Sequence, residues 1–275
     1  MTQRSIFITG ASTGIGLAGV RALRARGWRV LASARKPADL ERLERVEGAE
    51  AIPLELADMT SVRTAAAEVL RRTCGRLDAL FNNAAYGQVG AVEDLSADVL
   101  RRQLEVNLIA THELTRLLIP AMRAQGHGRI VQCSSVLGLV SGPYRGAYSA
   151  SKFALEALSD SMRLELAGTG LAVSLIEPGP IRTQFVATAL ANFRATIDIA
   201  GSPHRETYQR RLASMEAGGK DTFKLEPEAV ARKLVHAVES ANPRRRYFVT
   251  TPTYIAAALK RVLPDVLLDR FLAKA

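Results

Sequence analysis

The stretch from Ser5 to Trp28 constrains this chain more than any other. Ser5-Ile6-Phe7-Ile8 is a short apolar run with a β-branched bias, the pattern of a buried strand. It runs straight into Thr9-Gly10-Ala11-Ser12-Thr13-Gly14-Ile15-Gly16. Leu17, Val20, Leu23 and Trp28 then recur at helical spacing, with Arg21, Arg24 and Arg26 between them and Gly27 as the terminator. Strand, glycine-rich turn and helix in that order is the opening of a parallel βαβ unit. The glycines let the backbone turn tightly and approach a ligand closely. The helix N-terminus offers free N–H groups to a pyrophosphate. Gly10, Ser12, Thr13, Gly14, Ile15 and Gly16 are therefore candidate dinucleotide contacts.

The alternation continues along the chain. Strand candidates are Trp28 to Ser33, Ala51 to Glu55, Ala79 to Phe81, Arg129 to Ser134 and Leu171 to Ile176. Helical patterns run from Thr60 to Thr73, Asp98 to Arg123 and Tyr148 to Leu166. This predicts an α/β fold: one domain over residues 1–275, a doubly wound parallel sheet of Rossmann type with helices on both faces. Thr9, Arg35, Asn83, Ser135 and Pro178 all end or follow a strand, so one crevice at the strand C-termini should collect them. Residues 184–226 read as irregular, with Gly201, Ser202, Pro203, Gly218 and Gly219, and are expected to form a substrate lid. Pro227 opens a helix over Glu228 to Val238, and Arg246 to Val249 suits an edge strand. The helical tail, about 252–275, mixes apolar residues with Lys260, Arg261, Arg270 and Lys274. Weak peripheral contact with a membrane, closure of the substrate pocket and packing on its own domain are all open to it.

The chemistry lies in Tyr148-Ser-Ala-Ser-Lys152, with Ser135 thirteen residues upstream. Tyrosine and lysine at i, i+4 share one helix face. A free phenol titrates near ~10, so proton transfer near neutrality needs it pulled down, and the Lys152 ammonium is the charge expected to do so. Ser135 adds a hydroxyl for the substrate oxygen. The second strand ends in Ala34-Arg35-Lys36, where an NAD-selective site carries a carboxylate; Asp39 follows Pro37, inside the next helix. Arg35 can pair with a 2′-phosphate, which predicts NADP(H).

Together these segments resemble the short-chain dehydrogenase/reductase family along almost the whole chain. Thr9 to Gly16 is similar to its TGxxxGxG turn, and Asn82-Asn83-Ala84-Ala85 to its NNAG segment with the last glycine replaced. Asn107, Ser135, Tyr148 and Lys152 match the family's catalytic tetrad, and Pro178 to Thr183 its PG-x-(I/V)-x-T stretch. The runs around Tyr148 and Pro178 are most similar to the branch containing 17β-hydroxysteroid and retinol dehydrogenases and bacterial NADP-dependent aldehyde reductases. The resemblance implies cofactor contacts from Asn83, Ala84, Tyr148, Lys152, Pro178, Gly179, Ile181 and Thr183 as well as the glycine turn. Glu55 stands where the family often has aspartate, leaving open the adenine-edge contact there and at Leu56. The resemblance also implies that Asn107 steadies a water linking Lys152 to solvent, and that the long helices form a homodimer or homotetramer.

Tyr86, Val136, Leu137, Leu139, Tyr144 and Phe185, with Ser135, are the expected substrate pocket. They are largely apolar, with no cluster that would grip a carboxylate or phosphate. The expected reaction is hydride transfer between NADP(H) and an apolar aldehyde, ketone or alcohol of retinoid, steroid or long-chain type. A β-ketoacyl-carrier reductase is the rival enzyme, and a non-catalytic NADP(H) sensor the rival of another class. Lys plus Arg number 37 against 27 acidic residues. The cations are scattered, apart from Arg244-Arg245-Arg246, and lack interleaved aromatics, which argues against nucleic acid. The four histidines show no metal-ligand spacing, so no metal is expected. Two cysteines, a first strand that begins within a few residues and no apolar run near ~18 residues point to the cytoplasm.

Overall fold

The computed structural model describes residues 3–216 and 222–273. Residues 217–221 of the expected lid, with Gly218 and Gly219, and Lys274 of the tail lie outside the described residues. Among the described residues, seven parallel strands form one sheet: β1 (Ser5–Ile8), β2 (Arg29–Ala34), β3 (Glu50–Pro53), β4 (Ala79–Asn82), β5 (Gly128–Cys133), β6 (Leu171–Glu177) and β7 (Arg246–Phe248). Their order is β3-β2-β1-β4-β5-β6-β7. The chain therefore reverses its winding between β1 and β4, which opens a crevice at their C-terminal ends.

Helices α1 (Gly14–Arg24), α2 (Pro37–Arg45), α3 (Met59–Arg72), α4 (Ala97–Leu104), α5 (Ala110–Ala124) and α6 (Gly146–Glu165) follow in chain order. They are joined by α7 (Phe185–Thr196), α8 (Arg205–Glu216), α9 (Glu228–Glu239), α10 (Thr251–Val262) and α11 (Asp265–Leu272). Successive strand residues feed opposite cores. Ile6 and Ile8 pack with Val20 and Leu23 of α1 and Val230 and Leu234 of α9. Phe7 packs on the other face with Val62 and Val69 of α3 and Leu114 and Leu118 of α5. Burial on both faces explains why the strands read as continuous apolar runs.

The helix expected over Asp98 to Arg123 is interrupted: α4 and α5 are joined through a π-helical turn, Glu105–Ile109. The segment expected to be irregular holds two helices, α7 and α8, instead. Phe185, Ala189 and Phe193 lie at i, i+4, i+8, and Phe193 and Ala189 are buried with Tyr208 against Val89 and Ala91. Gly201, Ser202 and Pro203 fall only in the connection between the two. The C-terminal tail is the helix pair α10 and α11, and no helix of the described residues is long and apolar enough to cross a membrane.

Candidate active site

The glycine turn is locked to the end of β4. Thr9 Oγ1 accepts from the backbone N–H of Asn83 (2.9 Å) and of Ala84 (3.0 Å). Asn83 Nδ2 donates back to the carbonyls of Thr9 (3.0 Å) and Gly10 (3.1 Å). A Cβ on Gly16 would stand 2.3 Å from the Gly10 carbonyl oxygen, and one on Gly10 2.9 Å from Ala84. Any side chain there would drive the turn off β4. Ile15 packs beside the α1 core. Thr13, the N-cap residue of α1, makes no side-chain cap bond, and the first turn holds no acidic residue. Its leading N–H groups stay available to an anion.

Gly14 faces the segment after β6: a Cβ on it would lie 2.9 Å from Thr183 Cγ2. A cleft of about 790 Å³ opens there, lined among others by Ser12, Thr13, Gly14, Arg42 and Thr183. Pro178 accepts a backbone hydrogen bond from Val136 (2.8 Å), tying the nicotinamide segment to the loop after β5. Ile181 bridges Leu225, and Gly179 lies beneath Thr250 at the start of α10. Arg35 is exposed at the end of β2, its Nη1 3.6 Å from Glu55 Oε2, with Leu56 buried nearby in sequence. A cradle closed to side chains, with free helix N–H donors and a cation at the end of β2, fits a dinucleotide.

Ser135, Tyr148 and Lys152 are buried together where β5 and α6 meet. Ser135 Oγ accepts from Leu137 N (3.1 Å), capping the 3₁₀ turn Val136–Gly138, and bonds the Tyr148 phenol. Lys152 Nζ donates to the Cys133 carbonyl (2.7 Å) and lies 5.7 Å from the centre of the Tyr148 ring. Burial, more than any neighbour, pushes the Tyr148 phenol well above its ordinary range, and it pushes the Lys152 ammonium down. The expectation that Lys152 depresses the phenol is corrected here. Its charge is itself desolvated and committed to a carbonyl. The influences that do lower Tyr148 are the Ser135 hydrogen bond and the charge of Arg145.

Asn107 occupies the π-helical turn, a distortion that re-aims side chains at functional sites. Its Oδ1 accepts from Tyr86 N (3.1 Å), and its Nδ2 donates to Tyr86 O (2.8 Å) and Ser151 Oγ (3.2 Å). Ser151 Oγ donates to the Tyr148 carbonyl (2.7 Å), so Asn107 is coupled to the Tyr148 turn through Ser151. Of the expected pocket residues, Phe185 stacks edge-on to Tyr148 with ring centres 5.3 Å apart, and Tyr86 is held by Asn107. Tyr144 turns its phenol to His204 Nδ1 (3.0 Å) instead of presenting a free apolar face. Leu139 lines a cavity of about 440 Å³ with Phe153, Lys260 and Leu268 under the C-terminal helices.

Three groups escaped the sequence reading. Gln103 is fully buried, accepts from Gln88 N (2.7 Å) and donates to Tyr86 O (3.0 Å). Arg246 donates to Glu177 Oε1 (2.6 Å), to Asp160 Oδ2 (2.8 Å) and to Glu156 behind the site. Burial pushes the Glu177 carboxyl up to about 8 and raises Glu156 as well. The signal for this cluster was present: Glu156 continues the Tyr148, Lys152 stripe by another four residues, and Glu177 ends an apolar strand. Arg145 carried no such signal.

The short chain dehydrogenase family model matches residues 4–192. The chain is 43% identical over 270 residues to the Escherichia coli K12 oxidoreductase YbbO, covering 98% of this chain and 94% of that one. It is 32% identical to an NADPH-dependent 3-dehydrocapnine reductase of Ornithobacterium rhinotracheale, covering 99% and 97%. It is 33% identical to human 17-beta-hydroxysteroid dehydrogenase type 1, covering 91% and 78%. The crystal structure of a Streptomyces avermitilis short-chain dehydrogenase superposes with a TM-score of 0.79 at 31% identity, covering 94% and 92%.

Proposed function

The chain belongs to the short-chain dehydrogenase/reductase family, an oxidoreductase of alcohol and carbonyl groups that binds a nicotinamide cofactor, and on that premise we propose that it uses NADP(H) to interconvert an apolar aldehyde or ketone with its alcohol. The convergence of Ser135, Tyr148 and Lys152 beside the glycine turn carries this reading. The bound nicotinamide supplies or accepts the hydride at the carbonyl carbon. Ser135 and Tyr148 hold the substrate oxygen by hydrogen bonds. A phenol kept protonated by burial is a ready acid, so Tyr148 delivers its proton to that oxygen in the reducing direction. Lys152 binds the nicotinamide ribose and stabilises the phenolate left behind. Asn107 holds the Tyr86 loop and the Tyr148 turn in register and anchors the water that reloads the proton.

Arg35, exposed and ungripped beyond a long contact with Glu55, supports selection of the 2′-phosphate. Gly10, Ser12, Thr13, Gly14, Ile15, Gly16, Asn83, Ala84, Pro178, Gly179, Ile181 and Thr183 line the dinucleotide. A retinoid, steroid or long-chain substrate fits the aromatic wall of Tyr86 and Phe185. Free Cys74 and Cys133 suit a reducing cytoplasm. Exposed Leu158 and Leu164 on α6 suit a homodimer or homotetramer, and exposed Val262, Val266, Leu267 and Phe271 suit weak contact of the tail with a membrane surface. The test is NADPH oxidation against a panel of apolar aldehydes and ketones, with NADH in parallel. Turnover dominated by NADPH is expected. NADPH binding without turnover on the panel contradicts the reading; turnover only of carrier-linked β-ketoacyl groups would transfer it to that substrate class.

A further inference from the structure

The expected pocket held no group for an anion, but the fold brings one to its edge. Arg145 is the N-cap residue of α6, three positions before Tyr148, and is half-buried. No acidic residue lies in the first turn of that helix. No hydrogen bond or ion pair from its guanidinium is present among the described residues. Arg211 of α8 sits 4.5 Å above the Tyr144 ring, next to Arg145 in sequence, and likewise has no carboxylate partner among the described residues. The nearby acids are committed elsewhere. Glu93 bonds His204 Nε2 at 2.6 Å, and Asp94 accepts from Ser202 Oγ at 2.6 Å and from the Tyr208 phenol.

This arrangement is electrostatically unfavourable by itself. A helix N-terminus carries positive potential, which repels a cation placed there. A partly buried arginine without a carboxylate loses hydration for no return. Burial and the charge of Arg211 both disfavour the charged Arg145 guanidinium, whose field reaches the Tyr148 phenol. The backbone holds it in place nonetheless. Tyr144 sits in the left-handed region at φ +66°, and its carbonyl accepts from Gly90 N (3.1 Å). An anion bonded to both arginines would offset all of these costs at once.

We propose that Arg145 and Arg211 form an oxyanion-binding subsite at the mouth of the substrate cleft, so that the preferred carbonyl substrate carries a carboxylate or similar acidic group at a distance from its reacting carbon. The proposal rests on the reading of Tyr148 as the proton donor and deepens it. An apolar body then lies along Phe185 and Tyr86, while its acidic end is read by the two guanidiniums.

The test compares an ω-oxo fatty acid with its methyl ester as NADPH-dependent substrates. The wild type should favour the acid in kcat/KM by about tenfold or more, the scale of a charge-assisted hydrogen bond. Arg145→Gln and Arg211→Gln should each erase most of that ratio, and Arg145→Lys should restore part of it. A ratio near one in the wild type, or a preference that survives in both glutamine variants, overturns the subsite. A loss shared equally by acid and ester, which a purely structural role or an effect through Tyr148 would give, overturns it too. Thermal shift separates this from the reaction: decanoate should stabilise the wild type more than decanol, and Arg145→Gln should remove the difference. Turnover without either discrimination overturns the subsite and leaves hydride transfer standing. Discrimination by thermal shift with no turnover of either substrate keeps the subsite and overturns hydride transfer.

Discussion

Tyr148 and Arg35 show how differently two residues of one site are tuned. Tyr148 is removed from water, so its neutral form is favoured and an acid is on hand. Arg35 remains in solvent at the end of β2, where a cation costs little and a 2′-phosphate can reach it. Arg35→Asp should weaken NADPH binding roughly ten- to a hundredfold, the worth of one or two charge-assisted hydrogen bonds, with little effect on NADH. Titration of cofactor fluorescence measures both; equal losses for the two cofactors would contradict the assignment. The tetrad and the glycine turn were legible in the sequence because their chemistry depends on residue type and spacing along one helix or turn. The electrostatics of Tyr148 were not, because burial and the position of Arg145 depend on how β5, α6 and α8 meet.

At the scale of elements, the C-terminal helices support the site from outside the family-matched stretch. Thr250 and Thr253 at the head of α10 are fully buried and lie 3.2 Å apart at Oγ1. A Cβ on Gly179 would stand 2.1 Å from Thr250 Oγ1. Gly179→Ala should force α10 away from the Pro178 segment and cost about 1–3 kcal/mol, as overpacking does. Thermal denaturation should show the loss, and a melting temperature equal to the wild type would contradict the close packing. Strands β1 and β2 and helix α6 could be read from periodicity because each has one dominant environment. Helices α7 and α8 were hidden because their apolar residues serve a small satellite core under the lid, and Gly201 to Pro203 between them mimic a longer loop.

For the whole molecule, the buried Arg246 cluster sets a pH dependence. The Glu177 carboxyl titrates near 8 in the fold, raised first by burial and then by Glu156, against 4.5 for an ordinary glutamate. Between those values the folded state holds a proton that the unfolded chain has released. This group's contribution to stability is therefore complete below about pH 4.5 and lost as pH rises through 8. Glu177→Gln, which keeps an acceptor for Arg246, should flatten the fall in melting temperature across that window. An unchanged slope would contradict it. The seven-stranded order and the crevice at its switch point could be anticipated from the alternation of elements. The charge cluster behind them could not, because Arg246 is distant in sequence from Glu156, Asp160 and Glu177 and only the β6–β7 pairing unites them.

The most direct test of the account is single-turnover NADPH oxidation by wild type and Tyr148→Phe with the best carbonyl of the panel, alongside NADPH affinity for each. The wild type should consume the cofactor, and the variant should be slower by roughly a hundred- to ten-thousandfold, the range of a lost general acid, at nearly unchanged affinity. A Tyr148→Phe protein that turns over at a rate near the wild type would contradict the central claim.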